Sequence, residues 1–544
     1  MRLFKEVRQN RTFSEVAVYQ RNGFKMEVLN TIIEIISRMT EEEITSTRSY
    51  LTIFNSRGKK SHSITLFDIL SDKRGENEVP PDREQLENIL YGKQNPATFS
   101  RLLLRLKDKI LESLIIDINV NREGVYDDKA KATIEVRKNI SQAQILQGRG
   151  LLDIAQSMLE KVISQGKKYE TYEELLLALR LLIEHHTIDH GDKHFQKLLN
   201  DYKHYDEAKN AVLRAEVNHG RVNAELDYRT GQNAKMEWLR GILDELLTDY
   251  KNTSASVVGH HYYFIEAQYY QLLGDYKSAR QALKDNFQLL DASSAISTKL
   301  RKGNILLNLA ENDLYLHNFK RSYTTACSSL TFFKPTSFNQ MQGIELMFYA
   351  QFFMGYYGTA RDIILQLVPD IEQASGTSYR LGKRLYLLAN TSFMLEDFST
   401  TYKLTSLINP IENDKEGWNI GIRILSILSL IEDRQLDEAT AKIAALREFL
   451  YTLDKATVPE RLRTIYIILQ KLSSTGFDFR AVHQKEKEKI DLLAKLKWLP
   501  RSPEMIIFDQ WLFAKVSKQK FIQKIPEYQS EITIKRKPIT IKSG

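Results

Sequence analysis

Along the second half of the chain, apolar side chains recur at helical spacing, and each apolar run stops at a short polar turn that opens the next run. The clearest turn is Leu273-Gly274-Asp275-Tyr276-Lys277-Ser278-Ala279. Counterparts are Leu316-His317-Asn318-Phe319, Met354-Gly355-Tyr356-Tyr357 with Ala360, Leu395-Glu396-Asp397-Phe398, and Asp433-Arg434-Gln435-Leu436 with Ala439. With the Gly274 slot as the ruler, the turns fall at 274, 317, 355, 396 and 434, at intervals of 43, 38, 41 and 38 residues. That period predicts stacked helix pairs, each unable to bury its apolar face alone. The predicted fold class is all-α: an α-solenoid of helix pairs with an irregular helical N-terminal unit.

Outside these repeats the pattern is less regular. Residues 1–25 read as a disordered extension, with the helical pattern beginning near Met26, and 26–125 as a helical N-terminal unit. Helices are expected over Glu41 to Phe54, Ile64 to Leu70 and Arg83 to Tyr91, with a loop from Ser71 to Asp82 containing Pro80-Pro81. Asn95-Pro96 then supplies an N-cap and first helical residue for an amphipathic helix burying Phe99, Leu103, Leu106, Ile110 and Leu114. Irregular repeats span 126–256. Here Gly150 to Ala155 copies the glycine-to-alanine spacing of the Gly274 turn, and helices over Lys129 to Gln147, Leu151 to Ser164, Tyr172 to His186, Ala208 to Tyr228 and Ala234 to Tyr250 carry weak turn signals. The regular repeats occupy 257–475, capping helices 476–520 (Lys485 to Leu496 and Glu504 to Lys518), and a basic extended tail 521–544.

The Gly274 repeat resembles the tetratricopeptide repeat. Tyr263, Ala267 and Tyr270 fall at that family's first-helix positions, and Gly274, Tyr276, Ala279 and Leu283 at its turn and second helix. The next copies hold Leu306, Leu309, Ala310 and Phe319, then Leu385, Leu388, Ala389 and Phe398, with His317, Ser322 and Thr401 replacing the expected glycine and alanines. Intervals near 40 exceed the family's usual length of about 34, which implies longer helices or loops. At larger scale Thr40-Glu41-Glu42-Glu43-Ile44, Ile89 to Gly92 with Ala97 to Leu102, and Phe508 to Leu512 resemble helical-repeat proteins of the Bacteroidota, implying a bacterial cytoplasmic protein.

Composition adds few constraints. Eleven prolines and 24 glycines in 544 residues suit a nearly all-helical chain, and a net charge of +8 spread over its length does not by itself specify nucleic acid. Cys327 is the single cysteine, so no internal disulfide forms and a reducing cytoplasm is expected. The longest apolar stretches, Glu174 to Ile183 and Ile420 to Ile431, are interrupted by Arg180 and Arg423 and read as buried helices, with no membrane span.

Three constellations bear on chemistry. His185, His186, His190 and His194 with Asp189 and Asp192 have metal-ligating character, but Asp189-His190-Gly191-Asp192 reads as a turn that breaks the spacing, so no metal is expected. Ser100, Arg101 and Arg105 on one face of the Asn95–Leu114 helix suit phosphate or base contact, although Asp108 and Glu112 share that face and no wing hairpin follows. The family resemblance implies a concave surface built from first helices: His261, Phe264, Gln268 and Gln271; Asn304, Asn308 and Glu311; and Lys383, Tyr386, Asn390 and Phe393. No phosphate-binding glycine loop, nucleophile elbow or His-Glu-x-x-His helix occurs, so neither an enzyme nor a cofactor is expected. The reading is a scaffold binding a protein or peptide; the alternative is a DNA-binding regulator with a partner-sensing array.

Overall fold

The computed structural model describes residues 28–53, 61–72, 81–116, 126–186, 191–225, 232–368, 379–411, 414, 417–453 and 458–528. They are all-α, with no strand among them, and divide into a unit ending at Tyr126 and a unit beginning at Asp127. The first unit holds α1 (28–38), α2 (Glu41–Ile53), α3 (His62–Asp72), α4 (Arg83–Tyr91) and α5 (Pro96–Ile116). Thr40 and Glu43 form a reciprocal capping box before α2, as Asp82 and Gln85 do before α4. Ile32, Ile36, Leu66, Phe67, Leu86, Phe99, Leu106 and Ile110 fill the core of this unit. The proposed extension at 1–25 and the middle of the Ser71–Asp82 loop lie outside the described residues.

The second unit is an α-solenoid of helix pairs. It contains α6 (Asp128–Gly148), α7 (Leu152–Tyr169), α8 (Tyr172–His186), α9 (Gly191–Glu225), α10 (Gln232–Thr253), α11 (Ser256–Leu272) and α12 (Tyr276–Ala292). It continues through α13 (Lys299–Tyr315), α14 (Phe319–Leu330), α15 (Phe338–Phe353), α16 (Tyr357–Leu365), α17 (Tyr379–Met394), α18 (Phe398–Leu407), α19 (Trp418–Glu432) and α20 (Leu436–Tyr451). It closes with α21 (Glu460–Ser474), α22 (Phe479–Lys485), α23 (Lys487–Lys495) and α24 (Phe508–Ser517).

Every turn on the sequence ruler has one geometry. Gly274, His317, Gly355, Glu396 and Arg434 all take left-handed backbone, with φ of 72, 57, 84, 62 and 60°. The amide of the following residue then reaches back five positions: Asp275 to Tyr270, Asn318 to Asp313, Tyr356 to Gln351, Asp397 to Ser392 and Gln435 to Leu430, at 2.8 to 3.0 Å. This satisfies a terminal carbonyl and reverses the chain. Gly150 and Gly476 repeat the closure, through Leu151 to Leu146 and Phe477 to Leu472, so it also joins α6 to α7 and α21 to α22. Five residues later in each regular turn, a small side chain lets the paired helices approach. Ala279, Ser322, Ala360, Thr401 and Ala439 are all fully buried. Where a hydroxyl replaces the alanine methyl it is satisfied across the pair: Ser322 Oγ donates to the Ala310 carbonyl at 2.7 Å and Thr401 Oγ1 to that of Ala389 at 3.3 Å.

Two expectations change. The helix expected over Ala208 to Tyr228 is the second half of α9, a 35-residue helix beginning at Gly191. That length explains why no repeat turn is legible between α8 and α10. At the other end Glu504 does not begin a helix. Residues 503–507 are buried without helical hydrogen bonding, and α24 starts at Phe508, where Glu504 accepts from the Phe508 amide at 3.0 Å.

From α23 the chain turns back and packs into the array. Tyr386 on α17 donates to the Pro503 carbonyl at 2.5 Å, while Met505, Ile506, Ile507, Phe508 and Trp511 join the core formed by α13 to α21. Arg461 holds this segment with every N–H it has: Glu504 and Asp509 accept from Nε and Nη2, and the Leu493 and Leu496 carbonyls from Nη1. Residues 519–528 then run extended along the helix turns, where Lys520 pairs with Glu396, the Pro526 carbonyl meets His317 and Tyr528 donates to the Gly274 carbonyl at 2.9 Å.

Gly421 on α19 is where this packing is tightest, since a Cβ there would lie well inside van der Waals contact with the Pro503 carbonyl oxygen. Gly421→Ala is expected to lower stability by about 1–3 kcal/mol through overpacking. Gly358→Ala, on α16 with open space around the glycine, is expected to raise it by about 0.5–1 kcal/mol. Thermal melts of the two variants check both signs; a stabilised Gly421→Ala would show that Pro503 does not seat on α19.

Candidate partner-binding groove

The first helices of the regular pairs carry the predicted concave residues, and the structure divides these into three groups. The first lies around histidines. His261 on α11 lies tilted against His219 of α9, with ring centroids 4.6 Å apart, and His219 meets Phe264 edge-on at 5.3 Å. His260 is fixed by Asn286, whose Oδ1 lies 2.8 Å from Nδ1 and whose Nδ2 donates to the His260 carbonyl. Burial pushes the His260 and His261 pKa down to about 4 and about 3, and the positive charge of Arg301 and the neighbouring histidines act in the same direction. Both rings are therefore neutral at pH 7. Sequence reasoning gave only His261 a role; His219 arrives from α9, whose long helix carries no repeat signature.

The second group frames an open cavity. Phe264 of α11, Asn304, Asn308 and Glu311 of α13, and Asn339, Gln342, Glu345 and Tyr349 of α15 line about 210 Å³. Asn339 Nδ2 donates to Asn304 Oδ1 at 2.8 Å, and Asn308 Nδ2 to the Asn304 carbonyl at 2.8 Å, so the amides are held in a fixed row. Gln268 and Gln271, one and two turns beyond Phe264, are half-buried, and Gln268 Oε1 has no partner among the described residues. Asn339, Gln342, Glu345 and Tyr349 went unrecognised because the α15 copy of the repeat is dominated by aromatic residues. Arg501 also lines this cavity and comes from the returning C-terminal segment.

The third group is closed over by the chain itself. Lys383, Tyr386, Asn390 and Phe393 are 8, 2, 0 and 3% exposed. Lys383 pairs with Glu345 at 3.4 Å and lies over the Trp418 ring, Tyr386 and Asn390 sit beneath Pro503, and Phe393 packs edge-on against Phe398. The concave surface expected on α17 is thus interior, and the part of the expected surface that stays open lies on α11, α13 and α15.

The remaining candidates lie elsewhere. On α5, Arg101 and Arg105 are exposed, but so are Asp108 and Glu112, and Ser100 Oγ donates to the Pro96 carbonyl while accepting from Arg83 at 2.9 Å. Of the histidine cluster, Asp189 and His190 lie outside the described residues, and His194 is on α9. Among the described residues no group of three or more His, Cys, Asp or Glu side chains is arranged to hold a metal ion, and no helix is long and apolar enough to cross a membrane.

No family model matches the chain, and none of the curated proteins matches it. A solved structure, the crystal structure of the apo form of RapI, is similar to it. The likeness covers 66% of this chain and 86% of that one, at 14% identity and a TM-score of 0.38.

The buried histidines set a pH dependence. Their folded pKa values lie below the ordinary 6.5, so the unfolded chain binds more protons in this window. Their contribution is complete above about pH 6.5 and is lost as pH falls toward 4 and 3. The unfolding free energy, and with it the melting temperature, should fall across that range, and His261→Gln should flatten the fall in free energy by at most about 5 kcal/mol. Identical pH profiles for the variant and the parent chain would show that His261 is not held neutral by burial.

Proposed function

We propose that this chain is a non-catalytic scaffold that binds a protein or peptide in the groove on α11, α13 and α15. The observation carrying the reading is the amide row beside an aromatic wall: Asn304, Asn308, Asn339 and Gln342 facing a cavity that Phe264 and Tyr349 also line. Amides both donate and accept, so such a row suits the backbone of an extended segment, while the rings supply apolar contact. The half-buried Gln268 and Gln271 lengthen the same face. Cys327 as the single cysteine fits the reducing cytoplasm, and the loose Bacteroidota resemblance fits a bacterial source.

The groove is tested by filling it. Asn308→Phe with Gln342→Trp places bulk in the cavity without changing charge, and the control is Arg101→Glu with Arg105→Glu on α5. The filled groove is expected to lose at least tenfold in recovery of the proteins that co-purify with the intact chain from its host, with its melting temperature unchanged. Salt-dependent binding to duplex DNA is read in parallel, because phosphate contacts give a steep salt slope. If the filled groove keeps all its co-purifying proteins while the α5 variant abolishes DNA binding, the regulator reading replaces the scaffold reading.

A further inference from the structure

The cavity on α13 and α15 has one feature that an amide row for peptide backbone does not explain. Arg501 enters it from the C-terminal segment, three-quarters buried, with its guanidinium 5.8 Å from the centre of the Tyr349 ring. One of its five N–H groups is used, from Nη1 to Glu311, and its other donors have no partner among the described residues. Arg461, fixing the same segment some forty positions earlier, is a useful contrast. There every guanidinium N–H is matched by a carboxylate or carbonyl, as burial of a charge ordinarily demands. Arg501 is therefore a largely buried cation whose remaining donors open onto the cavity.

The surrounding charges indicate what those donors are for. Glu345 is held by Lys383 at 3.4 Å and Arg384 at 3.2 Å, and Glu311 by Arg501, so neither carboxylate is free to receive an incoming cation. The lining itself carries Arg501 with Glu311 and Glu345, and Lys383 and Arg384 offset Glu345 from behind it, so the three cations balance the two carboxylates and leave one positive charge over the whole cluster. Leu307, Leu346, Phe264 and Tyr349 supply apolar surface within the same cavity, and about 210 Å³ is small beside the roughly 300–1,000 Å³ of pockets that enclose a whole small molecule. The dimensions suit one side chain with an apolar stem and an anionic end.

We propose that this cavity is a specificity pocket for an acidic side chain, glutamate above all, carried within an extended peptide whose backbone lies along the amide row. The proposal rests on the groove-binding reading above and adds to it the chemistry of the partner. The peptide carboxylate takes the free N–H donors of Arg501, the methylene stem lies against Leu307 and Leu346, and Asn308 and Gln342 hold the backbone on either side. Because Arg501 belongs to the C-terminal segment and not to a repeat helix, selectivity is supplied by a part of the chain far from the helices that form the groove.

The test uses the full chain immobilised and three pools of N-acetylated, C-amidated heptapeptides, with Glu, Gln or Lys at the centre and random flanks lacking Asp and Glu. Retained peptides are quantified by mass spectrometry. The Glu pool is expected to be enriched at least tenfold over the Gln and Lys pools. That preference should vanish in Arg501→Gln combined with Glu311→Gln, which removes both partners of the ion pair and strands neither. Should the double variant lose its cooperative melt, Gln342→Glu, an exposed change, is expected to repel the Glu pool at least tenfold. Equal retention of the Glu and Gln pools, preference for the Lys pool, or a Glu preference indifferent to these variants overturns the proposal. So does a fourth, non-amidated pool retained through its free terminus whatever its centre. If no pool is retained while the cavity-filling variant still loses its co-purifying proteins, the acidic-side-chain proposal fails and the groove reading stands.

Discussion

The second unit depends on one backbone event repeated down the array, the left-handed residue that ends a first helix and commits the chain to reverse. A helix end leaves carbonyls unpaired, and burying such an end without partners is costly. The five-residue closure supplies the partner and fixes the exit direction together, so the small residue at Ala279 or Ala439 meets its neighbouring helix at the same height in each pair. His317, Glu396 and Arg434 accept the left-handed conformation despite their side chains. That strain, on the order of 1–2 kcal/mol each, is offset by the packing that the reversal permits.

This explains which parts of the fold were legible in the sequence. The turn is local: an apolar run, a left-handed slot and a small residue five positions on, all within one short window. It could be read even where glycine was absent. The long α9 has no such window, so only its second half reads as a helix in the sequence. The fate of α17 was illegible for a different reason. Tyr386 and Asn390 have repeat-like positions, but what covers them is Pro503, 117 residues beyond Tyr386. The one local hint was Gly421, a glycine within the apolar-rich α19, where the backbone of another segment approaches closely.

The C-terminal segment also shows how two arginines from one neighbourhood differ. Arg461 is neutralised on all sides by Glu504, Asp509 and two carbonyls, and Glu504 is itself buried, with its pKa pushed up by desolvation against the pull of Arg461. It is a structural rivet. Burial works against the charge on Arg501 too, but the Glu311 and Glu345 carboxylates outweigh it and hold the guanidinium protonated. The two share a residue type and differ in satisfaction, and satisfaction distinguishes an interior strut from a group aimed at something else.

The return of residues 503–528 across the array bears on the order in which the chain is made. A solenoid whose repeats touch only their neighbours can fold from its first helix onward as it leaves the ribosome. Here α17 and α19 present Tyr386, Gly421 and the apolar surface beneath Pro503 long before the segment that covers them exists. The second half of the array consequently stays uncovered until residues 503–528 have been made. A chain broken off short of Pro503 would leave Tyr386, Gly421 and the apolar surface around them facing water, so the last helices of the array owe their burial to a segment outside the repeats.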